Sequence, residues 1–294
     1  MADIIEHVSD TAFWVAYYRW IETQRKDALF RDPLAGKLIR ARGEKLARHM
    51  GFQKQMAWSM ALRTVVIDTY IGEAIKAGTA CVVNLGAGLD TRPYRLDLPQ
   101  DLLWIEVDFP HMVDYKNEKL GDDAPVCQLE RIACDLSKDA ARRELLTNIN
   151  KRANVILVLT EGVVPYLSNA EAAALAGDLR QQSHITHWIT DYFSPFFNTI
   201  MARGRMRKHL EANAPFRFDP GPDPMDWSRF FAAAGWEIED MRYIGEYGKS
   251  IGRDLPAKWP FSWLMRYAAE ERLRPYRRMN GYALLKKGQA VAPL

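Results

Sequence analysis

Hydrophobic and polar positions along the chain fall into two regimes. From about residue 10 to 78 the apolar residues recur at helical spacing, and no segment alternates as a strand would. In the stretch 54–77, Met56, Met60, Arg63, Ile67, Ile71 and Ala74 fall on one helical face. Asp32 followed by Pro33 predicts a helix start, with Asp32 as N-cap and Pro33 in the first turn, and Gly51 and Gly78 read as stops. From Cys81 the pattern changes. Short apolar runs at 81–85, 102–107, 126–132, 154–159 and 185–190 alternate with helical segments such as 137–150 and 169–183. That alternation predicts an α/β fold with a parallel sheet and right-handed crossovers.

The rhythm breaks over 192–225. This stretch holds Phe193, Phe196 and Phe197, a basic run of Arg203, Arg205, Arg207 and Lys208, then Pro215, Pro220, Gly221, Pro222 and Pro224. It reads as an insertion over the sheet's edge that serves as a lid. A helix over 226–234, a strand over 236–243 and a strand at Tyr282-Ala283-Leu284-Leu285 complete the sheet before a frayed tail. The expected organisation is one domain, with a helical extension (1–78), a cofactor-binding half (79–191), the insertion (192–225) and the rest of the sheet (226–294). No internal repeat or low-complexity segment interrupts it.

Composition narrows the class without deciding it. At 294 residues, 48% hydrophobic and 26% charged, the chain can bury a sizeable core without staples. A net charge of +3 with no long basic block argues against nucleic acid as partner. Cys81, Cys127 and Cys134 lack C-x-x-C spacing and fit reduced thiols inside a cell. The start Met1-Ala2-Asp3-Ile4-Ile5-Glu6-His7 lacks the basic and apolar regions of a signal peptide, and no apolar run reaches the ~20 residues of a membrane span. A cytoplasmic protein without a membrane partner is expected; the oligomeric state is not legible.

The chemistry concentrates where the first strand ends. Cys81-Val82-Val83-Asn84-Leu85 enters Gly86-Ala87-Gly88-Leu89-Asp90, and a second run, Leu102 to Val107, ends in Asp108, twenty-two residues after Gly86. A strand, a glycine turn and a carboxylate at the end of the next strand make the layout of a nucleotide-type cofactor site. A dinucleotide fingerprint would carry a third glycine for packing around a pyrophosphate, and here that position is Thr91. The variant leans towards a cofactor with a ribose and no phosphates, such as S-adenosylmethionine. Gly86 and Gly88 would also suit a tight turn with no ligand. Asp108 would accept hydrogen bonds from ribose hydroxyls, or cap a helix beginning near Pro110.

The other candidates likewise admit a structural and a functional role. Arg63, a guanidinium on an apolar stripe, either snorkels or pairs structurally, or else clamps a carboxylate with its fork. Asp135 and Leu136 follow the third run, where an Asp most often caps a helix, here from Ser137 onward. Glu161 comes directly off the most apolar strand, Val155 to Leu159, where a carboxylate would hold a cofactor's ammonium group. Tyr166 fits a substrate pocket and simple packing equally. His184 and His187 are three apart on a strand, face opposite sides and make no metal pair. No metal site and no Ser/His/Asp or Cys/His arrangement is read.

Together, Val83-Asn84-Leu85-Gly86-Ala87-Gly88-Leu89-Asp90-Thr91-Arg92, Glu106-Val107-Asp108-Phe109-Pro110 and Thr160-Glu161-Gly162 with Tyr166-Leu167 resemble the leucine carboxyl methyltransferase superfamily. The N-terminal Phe30-Arg31-Asp32-Pro33-Leu34-Ala35 and Arg63-Thr64 are similar to its bacterial branch of polyketide carboxyl O-methyltransferases of the tetracenomycin type. The likeness covers about 12–190 and weakens across 192–280, where substrates are chosen. It implies a class I methyltransferase fold: a Rossmann-like, mostly parallel seven-stranded sheet with helices on both faces and S-adenosylmethionine as donor. It further implies Arg63 on the methionine carboxylate, Gly86 in the turn contact, Asp108 on the ribose, Asp135 and Leu136 beside adenine, and Glu161 near the methionine moiety.

The expected activity is O-methylation of a carboxyl or hydroxyl of a small, polyketide-like specialised metabolite, anionic and partly aromatic. The basic run and the phenylalanines of the insertion would receive it. A carboxylate acceptor is ionised at neutral pH and needs no general base, so no catalytic residue is named. The rivals are a methyltransferase of a protein's C-terminus, a nicotinamide oxidoreductase, and a non-catalytic protein that binds S-adenosylmethionine.

Overall fold

The computed structural model describes residues 9–39, 53–197, 199, 215–256 and 269–288. Its seven strands are β1 (Cys81–Leu85), β2 (Leu103–Asp108), β3 (Gln128–Ala133), β4 (Ile156–Thr160), β5 (Ile185–Phe193), β6 (Trp236–Tyr243) and β7 (Asn280–Lys287). They form one sheet in the order β3-β2-β1-β4-β5-β7-β6. The pairs β1–β2, β1–β4, β2–β3 and β4–β5 are parallel. The expected α/β fold with a mostly parallel seven-stranded sheet is therefore present. Strands β1 and β6 begin and end at the predicted residues, and the others shift by a few residues. The apolar run at 126–132 becomes Gln128–Ala133, and β7 extends past both ends of its predicted core.

Two compact units divide the chain. One comprises Met1–Ile67, Tyr192–Asn213 and Met241–Tyr282; the other comprises Asp68–Asp191, Ala214–Asp240 and Ala283–Leu294. In the first unit a helix spans Asp10–Thr23, and another begins at Pro33. Asp32 caps it as its sequence position predicts, accepting from the Ala35 N–H at 3.0 Å. Its other carboxylate oxygen accepts from Arg19 Nε at 2.8 Å, so the capping group is held inside a buried ion pair. Further along, Arg253 pairs with buried Glu22, while Trp58 Nε1 donates to the Arg253 carbonyl at 2.7 Å. Helices over Ile244–Ser250 and Glu270–Arg277, which no pattern in the chain forecast, belong to this unit.

In the second unit β1 and β4 are buried along their whole length, as strands covered on both faces must be. Trp188 of β5 meets Phe231 and Trp236 edge-on, at ring distances of 5.3 and 5.5 Å. Both of these tryptophans find an acceptor, Trp188 on Thr160 Oγ1 and Trp236 on the Ala176 carbonyl. The helix Asn169–Gln181 opens with a reciprocal cap between Ser168 and Glu171. On β2, Glu106 is sealed in by Lys116 and Arg131, at 2.7 and 2.8 Å from the same carboxylate oxygen.

The insertion expected over 192–225 starts later than forecast, because β5 runs on to Phe193. Its basic run Arg203, Arg205, Arg207 and Lys208 lies outside the described residues, as does Gly51. Among the described residues no helix is long and apolar enough to cross a membrane.

Candidate functional site

Strand order locates the site before any side chain is considered. The chain runs outward from β1 to β2 and β3, then returns to β4 on the other side of β1. A reversal of this kind opens a crevice at the carboxyl ends of the two central strands, where open α/β sheets bind ligands. Gly86 follows β1, and Glu161 and Gly162 follow β4. The two turns touch. A Cβ built on Gly86 would sit 2.5 Å from Val163 Cγ2, and Gly86 has φ +71°, a backbone conformation that favours glycine.

The glycine turn is locked to the end of β2. The N–H groups of Gly86 and Ala87 both donate to the Val107 carbonyl, at 2.8 and 3.1 Å. The Gly88 N–H donates to Asp108 Oδ2 at 2.6 Å, and the Phe109 N–H donates to Oδ1 at 2.7 Å. Asp108 is thus aimed at the turn and does not cap the following helix, whose N-cap is Phe109. Burial raises the Asp108 pKa above its ordinary value, although both N–H bonds pull it down.

The next loop follows from the same anchor, because the Cys134 N–H donates to the Asp108 carbonyl at 2.8 Å. Asp135 does not cap the helix Asp139–Asn150; it closes a turn on itself, accepting from the Ser137 N–H and hydroxyl at 3.0 and 2.7 Å. Arg142 donates to the Leu136 carbonyl at 2.8 Å and is itself held by Asp178. A buried ion pair therefore sets the course of the Asp135-Leu136 backbone.

Glu161 sits in a cluster that sequence reasoning missed. Arg92, 2% exposed, donates from Nη1 to Glu161 Oε2 at 2.6 Å and to Asp90 Oδ2 at 2.8 Å, and from Nε to Asp68 Oδ1 at 2.7 Å. Arg95 grips both oxygens of Asp68 at 2.7 and 2.9 Å, while Asn84 Nδ2 donates to Asp90 at 2.7 Å. Burial alone would lower the Arg92 pKa, but Asp90, Glu161 and Asp68 hold it well above its ordinary value. Three carboxylates thus meet two guanidiniums beside the glycine turn. Asp90 and Arg92 stand in the glycine-turn segment, so a signal was there; Asp68, on the preceding helix, carries none. Asp191 was missed as well; it lies near the end of β5 and accepts from the Gly162 N–H at 2.8 Å.

The second unit thus brings Gly86, Gly88, Asp108, Asp135, Leu136 and Glu161 to the carboxyl ends of β1 to β4. Tyr166 lies in a single helical turn, Val164–Tyr166, edge-on to Phe216 at 5.2 Å. Arg63 belongs to the first unit. Its guanidinium lies 5.9 Å above the Tyr282 ring and reaches Met60 Sδ at 4.0 Å. His184, ahead of the first residue of β5, bonds the Asn150 carbonyl at the opposite end of the strands, and His187 pairs with Glu239.

Comparison with known proteins adds the lineage. The profile of the leucine carboxyl methyltransferase family matches residues 12–179, more than half of the chain. The chain belongs to that family. A protein of Rhodococcus jostii (strain RHA1), assigned by inference as an S-adenosyl-L-methionine-dependent methyltransferase, is 30% identical over 273 residues, spanning 86% of this chain and 90% of its own. A Parafrankia protein with the same inferred assignment is 34% identical over 186 residues, 60% of each chain. Among solved structures, an inferred methyltransferase from Thermobifida fusca YX shares the fold over 93% of this chain and 94% of its own, with a TM-score of 0.57 at 13% identity. A duf574 family protein from Streptomyces avermitilis MA-4680 gives 0.53, covering 92% of this chain and 96% of its own at 13% identity. The family makes this chain a methyltransferase.

Proposed function

We propose that this methyltransferase uses S-adenosyl-L-methionine to methylate an oxygen, a carboxyl or hydroxyl, of a small polyketide-like metabolite. The observation that carries the cofactor is a pair of acids placed around the glycine turn: Asp108, held by the Gly88 N–H, and Glu161, held by Arg92. S-adenosylmethionine has a ribose diol and an ammonium, and a half-buried acid on each fits that donor set. Glycine-turn N–H groups cradling a pyrophosphate would be the contrasting case, and here the Gly88 N–H is given to Asp108. Bound there, the cofactor would supply a methyl group activated by a sulfonium.

The chain's own part is to position and to exclude water. Asp108 would orient the ribose, the Asp135-Leu136 backbone would line the adenine, and Glu161 would face the ammonium. Arg63 on the methionine carboxylate rests on the resemblance alone. The family's description favours a carboxyl oxygen, which is ionised at neutral pH and requires no base from the protein. The edge-on pair Tyr166 and Phe216 supports an aromatic acceptor.

The same family description favours a second reading, in which the acceptor is the terminal carboxylate of a protein. Calorimetric titration with S-adenosylmethionine, S-adenosylhomocysteine and NAD tests the cofactor: the first two should bind and NAD should not. Alkali tests the acceptor group, because a methyl ester releases methanol in base and a methyl ether does not. Binding of NAD alone would overturn the assignment.

A further inference from the structure

We propose that Phe216 is a specificity-determining residue: with Tyr166 it forms a fixed corner of two rings that takes a flat aromatic ring of the methyl acceptor. The inference rests on the small-molecule reading above and names the residue that would read the acceptor. Chain order brings this corner to the site. Glu161 and Gly162 leave β4, Val163 lies against the Gly86 turn, and the single helical turn Val164–Tyr166 follows at once. The Tyr166 N–H donates back to the Val163 carbonyl at 3.0 Å, so its place is tied to the residue that meets the glycine turn. The Pro165 carbonyl of the same turn accepts two N–H groups from a distant strap, Arg217 at 2.8 Å and Phe218 at 3.2 Å.

The strap is tied at each residue that follows Phe216. Arg217 pairs with Glu171 at 3.1 Å, and Phe218 meets the rings of Phe230 and Phe231 at 4.9 and 6.0 Å. Asn169 and Asp219 exchange two bonds: the Asp219 N–H donates to Asn169 Oδ1 at 3.0 Å, and Asn169 Nδ2 donates to the Asp219 carbonyl at 2.7 Å. Phe216 itself is 38% exposed and stands edge-on to Tyr166, with the ring planes 77° apart. A single exposed phenylalanine is ordinary on a protein surface; one fixed by so many bonds beside a cofactor loop is built to hold its direction. Two rings near a right angle offer a third ring the face of one and the edge of the other, both favourable aromatic geometries. An anchored backbone and two side-chain torsions leave little freedom to lose on binding. A saturated ring of the same size would gain the burial without the aromatic contacts.

The test uses the intact protein with S-adenosylhomocysteine bound and two probe carboxylates, 2-naphthoate and its fully saturated analogue, decahydro-2-naphthoate. In calorimetric titration wild type should favour the aromatic probe by about tenfold. Phe216→Ala, a change at an exposed side chain, should bring the two probes within about twofold of each other. Phe216→Tyr should keep the preference, and Asn169→Ala, which frees the strap, should reduce it in part. These changes should leave within about twofold the affinity for S-adenosylhomocysteine and for 5′-methylthioadenosine, which lacks the amino-acid head. Equal binding of the two probes by wild type, binding of neither, or a preference that survives Phe216→Ala would overturn the proposal. Loss of S-adenosylhomocysteine in Phe216→Ala would overturn it as well, by assigning the ring to the cofactor. Wild-type protein that binds neither adenosine ligand would remove the cofactor reading beneath the proposal, and the proposal with it.

Discussion

Two buried charge clusters lie in the same unit, and they differ in count and place. On β2, one carboxylate, Glu106, meets two cations, Lys116 and Arg131, and Arg131 goes on to Tyr94 and Asn117. At the ends of β1 and β4, three carboxylates meet two arginines. The first cluster lies along a strand and is walled by its own helix; the second lies at a chain reversal, beside a turn kept open by glycine. Buried charge by itself therefore does not mark a site. Place does, because open α/β sheets bind ligands at a chain reversal by the carboxyl ends of the central strands.

The largest expected effect sharpens this contrast. Glu106→Leu leaves Lys116 and Arg131 without their shared acid and should cost about 3–5 kcal/mol of stability, read from urea unfolding. Adding Lys116→Met should return much of that loss, since apolar replacements of a buried ion pair are often neutral. Neither change should alter the ratio of affinities for S-adenosylhomocysteine and 5′-methylthioadenosine. A selective loss of S-adenosylhomocysteine in Glu106→Leu would break the comparison, for the two clusters would then act as one.

A smaller effect probes the turn that separates them. Gly86→Ala places a Cβ 2.5 Å from Val163 Cγ2 at φ +71° and should cost about 1–3 kcal/mol. Val163→Ala in the same chain removes the overlap but not the left-handed backbone, so recovery should be partial. Full recovery would show that the backbone tolerates alanine there, and that the contact between the two turns is what requires glycine.

What the sequence could reveal follows the range of its signals. Strand and helix periods are local, so the strand alternation from Cys81 and the Asp32-Pro33 start were legible from the chain. Gly86 with Asp108 was legible because both sit at strand ends with fixed spacing. Arg92 stood in the same motif, yet its role depends on Asp68, twenty-four residues back on a helix, and on Glu161, sixty-nine residues on. No period or motif joins those three positions; only the sheet's reversal does. Short helices over 244–250 and 270–277 escaped for a different reason. The second contains Pro275, and a glycine opens the second position of the first, so helix propensity spoke against both.

The smallest effect concerns Asp108, which joins both sides of the comparison by ending β2 and holding the glycine turn. Its pKa is raised in the folded protein by burial, so folding favours the protonated carboxyl. Below the ordinary carboxylate range, near pH 4, the side chain is neutral folded and unfolded. As pH rises through the folded pKa, the native carboxyl must ionise while half-buried, and the stability it contributed is lost. Wild type should therefore lose ground to Asp108→Asn as pH rises from the ordinary carboxylate value, near 4, through the raised folded pKa, as read from urea midpoints of the two proteins side by side. Ligand affinity should move the other way, with Asp108→Asn weakening S-adenosylhomocysteine and 5′-methylthioadenosine alike by about tenfold, because both carry the ribose. A flat pH difference together with unchanged affinity would leave Asp108 as an anchor for the Gly88 and Phe109 N–H groups and nothing more. A residue that costs stability where it is ionised, yet strengthens ligand binding there, is kept for the ligand.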